Sequence, residues 1–212
     1  MKTEPRRLVV AVLAAASTAL ASGCVGLAIG GAAAGTAIVV ADRRSPGIQL
    51  EDQTIELRLR SALDAKLPSS IANIKVTSYN QRVLLTGEVA TEAAKAEAQA
   101  IAAKSPNVLS VGNELYVGAL TTFANQNFDR SLAAKVTIAL IEAPGVPSGT
   151  ISVVSSRSIV YLMGLVTVSE GEAAARAASR VTGVRQVVKY FEYISDKAAA
   201  ATPKAPAEAP PK

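Results

Sequence analysis

Histidine is absent from all 212 residues, and the chain has one cysteine, Cys24. Without an imidazole it lacks the commonest general base and proton shuttle. Ser–His–Asp and Cys–His nucleophiles are therefore excluded. The commonest metal ligand is missing too, and one thiol builds neither a thiolate cage nor an internal disulfide. The expectation is a protein that is not an enzyme and that takes no metal and no cofactor. The one group placed for covalent chemistry is the Cys24 thiol. It follows Leu20-Ala21-Ser22-Gly23, whose small residues fit a peptidase cleft, and a thiol in that setting can take a diacylglyceryl group.

The residues before Cys24 explain how that thiol would be presented. Lys2, Arg6 and Arg7 precede an apolar run from Leu8 to Ala21, the charged and hydrophobic regions of an export signal. The Leu20–Cys24 stretch resembles a lipobox, with Ala21 where Leu is commonest. Residues 1–23 are thus expected to be a signal peptide, with Cys24 carrying diacylglyceryl and palmitate groups and residues 24–50 forming a tether. An uncleaved span is the alternative, but Leu8 to Ala41 is 34 uncharged residues, while one span needs about 20. Gly26-x-x-x-Gly30 and Gly31-x-x-x-Gly35 fit either helix pairing in lipid or a small-residue tether. Val25 stands where Asp would favour inner-membrane retention, so the likeness to lipoproteins points to the outer membrane. Residues 42–50 read as a polar extended linker.

The formal charge is +5, of which the chain after residue 23 keeps about +3, too little and too evenly spread for a nucleic-acid partner. Aromatic residues are 4% of the chain, so the cores must be built from Val, Ile, Leu and Ala. Small cores of that kind are expected to draw on each other's surface.

The elements come from an internal repeat. Val83–Val89 reappears as Val160–Val166, 77 residues later. Ile74 and Val76 match Ile151 and Val153, and Ile55, Leu59 and Leu63 match Leu132, Val136 and Leu140. After the Ala-rich segment the offset becomes 76, pairing Val108 with Val184 and Val111 with Val187. Each copy opens on a helix with one apolar face, closed by Pro68 or Pro144. Two β-rich runs follow, turning at Asn80-Gln81 and at Ser156-Arg157. A second, Ala-rich helix begins near Thr91 in one copy and Ser169 in the other. A last strand runs over 108–117 or 184–194. The order αββαβ predicts an α+β fold, each copy a three-stranded mixed sheet with two helices on one face. The expected boundaries are 51–118 and 126–195, with a disordered Ala/Pro/Lys tail at 196–212. No carboxylate pair stands out at matched positions of the two copies. Gly87 and Gly164, inside matched strands, require a close approach, read as a helix packed tightly over the strand rather than as a ligand contact.

This αββαβ repeat with a glycine in its second strand resembles the BON domain (bacterial OsmY and nodulation), and the layout resembles the dual BON-domain outer-membrane lipoproteins. The segment from Asp42 to Asp52 and residues 178–184 add to the likeness. The resemblance implies a lipid-anchored protein on the periplasmic face of the outer membrane that supports cell-envelope integrity. It further implies binding of anionic phospholipid by the first helix of the second domain, here Phe128–Glu142. On that helix Phe128, Arg130, Ser131, Leu132 and Lys135 are the candidate lipid-binding residues, Ser131 standing where relatives can carry Trp. The alternative partner is the outer-membrane assembly machinery, with the acyl anchor as the only lipid contact. Arg176, Arg180, Arg185 and Lys189 form a second basic group, read as a solvated face or as a patch for an anionic partner. Over 51–118 the charge is near neutral, 7 basic against 8 acidic residues, which suggests different roles for the two copies.

Overall fold

A computed structural model describes residues 42–200. Cys24, the expected signal peptide, residues 24–41 of the expected tether and residues 201–212 of the expected tail lie outside the described residues. The elements are α1 (Pro46–Lys66), β1 (Ala72–Tyr79), β2 (Arg82–Val89), α2 (Glu92–Ala103) and β3 (Ser110–Val117). They continue with α3 (Phe123–Glu142), β4 (Ile151–Ser156), β5 (Ile159–Val166), α4 (Val168–Ser179), β6 (Gln186–Tyr193) and a short α5 (Asp196–Ala200). Each copy is α+β, with sheet orders β1-β2-β3 and β4-β5-β6. In both, the hairpin pair is antiparallel and the pair joined by the crossover helix is parallel.

Period-two alternation sorts the side chains of the central strands. Val83, Leu85 and Val89 of β2 face the helices, against Ile55, Leu59 and Leu63 of α1 and Ala94, Ala98 and Ala102 of α2. Val160 and Leu162 of β5 repeat this against Val136, Leu140, Ala174 and Ala178. The intervening residues form a third core. Leu84 and Tyr79 of the first sheet meet Val154, Tyr161 and Met163 of the second, all buried. The two sheets therefore bury against each other the faces that their helices leave uncovered. Each large side chain so buried stabilises by roughly 1.5–3 kcal/mol. Around this core Tyr79 donates to the Thr150 carbonyl at 2.7 Å, Tyr190 donates to Glu114, and Arg82 pairs with Glu192 at 2.9 Å. Arg157 lies over the Tyr116 ring at 3.8 Å. Tyr190 packs where Gly112 leaves room, and a Cβ there would stand 2.5 Å from its ring.

Several boundaries differ from the sequence reading. Residues 42–50 are not an extended linker. Ser45 caps α1 by accepting from the Ile48 amide, and Pro46 occupies the first turn, where its missing N–H costs nothing. Arg43 forms a two-pronged pair with Glu170 at 2.7 and 2.8 Å and donates to the Leu165 carbonyl. Arg44 bonds Asp42 and Asp52 and lies 3.9 Å from the Tyr79 ring centre. Neighbouring arginines thus strap the segment to both domains. The cap of α4 is Thr167, not Ser169, and it forms a reciprocal capping box with Glu170. Thr91 caps α2, so the offset is already 76 at the helix start. The one-residue gap therefore falls at Ala90, before the Ala-rich segment rather than after it. Of the tail, residues 196–200 form the short α5.

The turn in both hairpins holds non-glycine residues in the left-handed region. These are Asn80 and Gln81 (φ 51° and 62°) and Arg157 and Ser158 (φ 54° and 64°). Such type I′ turns match strand twist but strain residues with a Cβ. A buried carboxylate from the first helix holds each one. Asp52 accepts from Ser78 Oγ, Asn80 N and Gln81 N at 2.7–2.8 Å. Asp129 accepts from Ser155 Oγ, Arg157 N and Ser158 N at 2.8–2.9 Å. The sequence reading did not single out this matched carboxylate. Asp52 and Asp129 occupy equivalent places, and their chemistry is the fastening of helix to hairpin.

Gly87 and Gly164 also differ in cause from the expected helix contact. A Cβ at Gly87 would stand 2.0 Å from the Asn73 carbonyl oxygen, and one at Gly164 2.7 Å from that of Thr150. The close neighbour is the backbone at the start of each hairpin, not a helix. At Gly87 the backbone is itself left-handed, with φ +115°.

Candidate functional site

Helix α3 carries every residue that the sequence assigns to lipid. It starts at Phe123, capped by Thr122, about a turn and a half before the expected Phe128. Asp129, Leu132, Val136 and Leu140 repeat at helical spacing and form its buried face. Leu132 is 1% exposed and lies beside Gly183, so the structure removes it from the lipid candidates and makes it core. Phe128, Arg130, Ser131 and Lys135 are exposed.

These four do not converge. At 3.6 residues per turn, Phe128 and Arg130 point roughly 160° apart around the axis. The Phe128 ring leans over Gly183, on the side of the loop before β6. Ser131 and Lys135 are close to its direction, one and two turns on. Arg130 lies on the opposite margin, where it donates to Asn127 and lines a cleft against the first domain. Between these margins the helix presents Phe123, Ile138 and Ile141 to solvent, at 71%, 55% and 64% exposure. The sequence reading missed these three. Their signal was available: large apolar residues off the Leu132–Val136–Leu140 stripe, on a helix apolar over much of its circumference.

In the second basic group one of the four cations is ion-paired. Lys189 pairs with Glu172 at 2.6 Å. This pair holds the Glu172 carboxyl below its ordinary range and the Lys189 ammonium above its own. Arg176, Arg180 and Arg185 are exposed.

Three tyrosines sit at the seam between the sheets. Burial first, then nearby carboxylates, push the Tyr79 and Tyr161 hydroxyls up to about 12. Tyr190 is raised as well, by burial and by its bond to Glu114. Their neutral form is what the seam holds. Among the described residues no helix is long and apolar enough to cross a membrane.

The family model for the BON domain matches residues 51–119 and 128–195. The chain belongs to the BON-domain family. It is 36% identical over 180 residues to a Haemophilus influenzae protein named outer membrane lipoprotein DolP, covering 84% of this chain and 92% of that one. It is 30% identical over 155 residues to a protein of Actinobacillus pleuropneumoniae named 21 kDa hemolysin, covering 72% of this chain and 79% of that one. Among solved structures it matches CdsD, a structural protein of the type III secretion system of Chlamydia trachomatis. That match has 12% identity, a TM-score of 0.29, and coverage of 72% of this chain and 95% of that one. A likeness at that level supports no functional statement. The order αββαβ, read from the repeat, is the order found in both BON domains.

Proposed function

We propose that the chain is a lipoprotein of the periplasmic face of the outer membrane, anchored through acylated Cys24. In this reading it supports envelope integrity without catalysing a reaction, and α3 of its second BON domain binds anionic phospholipid. The likeness to the Haemophilus protein named outer membrane lipoprotein supports the location. The observation that carries the lipid contact is the exposure of Phe123, Ile138 and Ile141 on a helix that also presents Lys135. An isolated exposed apolar residue is ordinary, but large ones grouped on one helix face mark an interaction surface. Acyl chains on Cys24 would hold the domains beside the bilayer at high effective concentration, so a weak contact suffices. A cation at the surface of an anionic bilayer adds about 1 kcal/mol.

Co-sedimentation of residues 42–200 with phosphatidylglycerol and with phosphatidylcholine vesicles tests this. Binding to the anionic vesicles alone, lost in Ile138→Ser/Ile141→Ser, is the expected result. Equal or absent binding to both would remove the α3 contact.

A second reading is supported by the first domain. Leu50 and Leu57, two turns apart on α1, are 65% and 66% exposed, and Leu109 is equally open. In that reading the domains act as an adaptor for outer-membrane assembly proteins. Vesicle binding that survives the α3 substitutions only when Cys24 is acylated would favour it.

A further inference from the structure

A cavity of about 280 Å³ opens between the two BON domains. Its floor is the outer face of the first sheet, where Lys75 of β1 stands opposite Thr86 of β2. Its far wall is the inner margin of α3, with Arg130, and the end of β4. Arg60 of α1 stands at the rim.

The wall chemistry is unbalanced in one direction. The Asp129 carboxylate is filled by the three donors of its turn. Glu88 accepts from Asn73 and Thr121 and lies 3.9 Å from Arg157. The cations are not matched in the same way. Lys75 has no hydrogen bond or ion pair among the described residues, and Arg130 donates only to the neutral Asn127 amide. Arg60 shares Glu56 at 3.0 Å on the exposed side of α1. Crowding by the walls, and then the charge of Arg130, hold the Lys75 ammonium below the ordinary lysine value. The Thr86 side chain is buried, 1% exposed, and its hydroxyl has no hydrogen-bond partner among the described residues. A buried hydroxyl left unpaired is destabilising, and such a group calls for a reason.

An oxyanion supplies the charged partner that Lys75 and Arg130 lack and an acceptor for the Thr86 hydroxyl. It accepts from a guanidinium, an ammonium and a hydroxyl together. The volume is at the small end for ligand pockets, which fits one phosphate with a short polar substituent and not a lipid body. We propose that the interdomain cleft binds a single phosphate group, held by Lys75, Arg130 and the Thr86 hydroxyl, with Arg60 closing the rim. The phosphate belongs either to a lipid headgroup or to a free phosphate-bearing solute. The site does not depend on the outer face of α3, because Lys75 and Thr86 come from the other domain.

The test is calorimetric titration of the full chain in a neutral detergent with inorganic phosphate, at ionic strength held constant by chloride. Saturable binding is expected. Lys75→Met should weaken it at least tenfold. Thr86→Val should weaken it severalfold while leaving the unliganded protein at least as stable, since it removes an unpaired hydroxyl. A role confined to packing would not separate those two readouts. Phosphate that binds no better than chloride, or that binds K75M and T86V as it binds the parent, would overturn the proposal. Phosphatidylglycerol vesicles then identify the source. Displacement of bound phosphate by vesicles, blocked in K75M but not in Ile138→Ser/Ile141→Ser, assigns a headgroup. Phosphate binding indifferent to vesicles assigns a free solute.

Discussion

Replacing Asp129 with Ala removes the fastening between α3 and the β4–β5 turn. Three donors lose their acceptor: Ser155 Oγ at 2.9 Å, Arg157 N at 2.8 Å and Ser158 N at 2.9 Å. A hydrogen bond to a charged group is worth about 1.5–3 kcal/mol, and the three share one acceptor, so they do not simply add. Ser155 is buried and loses its partner outright, whereas the turn amides recover part of their bonding from water. The expected loss is about 4 kcal/mol. For a cooperative unit of this size that corresponds to roughly 8–16 °C in Tm. Asp129→Asn keeps one acceptor oxygen but turns an NH₂ toward backbone donors, so it should recover less than half of the loss. In the Asp129→Ala background Ser158→Gly should return about 1 kcal/mol, because glycine accepts the left-handed φ of 64° without a Cβ penalty. Thermal unfolding followed by circular dichroism measures all three variants. A fall in Tm under 2 °C for Asp129→Ala would refute the claim that the carboxylate holds the turn, and so would an unchanged Tm on adding Ser158→Gly.

Gly87→Ala places a Cβ 2.0 Å from the Asn73 carbonyl at a φ of +115°, so β1 must shift. Loss of at least 3 kcal/mol by urea unfolding is expected, and more than for Gly164→Ala, whose nearest contact is 2.7 Å. The buried tyrosines set an alkaline limit. Their folded pKa values lie above the unfolded value near 10, so neutral Tyr79, Tyr161 and Tyr190 stabilise the fold fully below pH 10. That contribution is lost as pH rises toward 12. Phenolate absorbance should therefore appear together with unfolding for these residues, and Tyr161→Phe should lessen the loss of stability between pH 10 and 12. Reversible ionisation of every tyrosine near pH 10 with the fold intact would contradict the burial of the seam.

Most of the fold was legible because a repeat doubles every signal. Ile55-Leu59-Leu63 and Leu132-Val136-Leu140 mark the same helix face twice, and the core takes both. What stayed hidden has physical causes. The clamp by Asp52 and Asp129 joins residues 26–29 positions apart, and no local pattern announces a carboxylate aimed at a distant turn. Ser45-Pro46 was a legible helix start, masked by the two arginines before it, whose partners lie far along the chain. The junction of the sheets was visible only as broken alternation: in β5 both faces are apolar, and in β2 Leu84 adds an apolar residue to the face that carries Arg82, Thr86 and Glu88. At the candidate site, the resemblance together with nearness in sequence grouped Phe128 with Arg130. Two residues on a helix point to opposite margins, and only the packing of α3 showed which margin meets the cleft. Phe123, Ile138 and Ile141 were readable as apolar residues off the core stripe. That they are exposed depends on where the second sheet lies.

The contact of α3 with an anionic bilayer is tested most directly by spin labels. Nitroxides placed by cysteine substitution at Ile138, Ile141 and, as a control, Lys104 of the first domain, in a Cys24→Ser background, report local oxygen and aqueous-reagent access on phosphatidylglycerol vesicles. Labels at 138 and 141 are predicted to gain oxygen access and lose aqueous access on vesicle addition, while the label at 104 keeps its solution values. Labels at 138 and 141 that remain as water-exposed as the one at 104, with protein bound to the vesicles, would contradict the account.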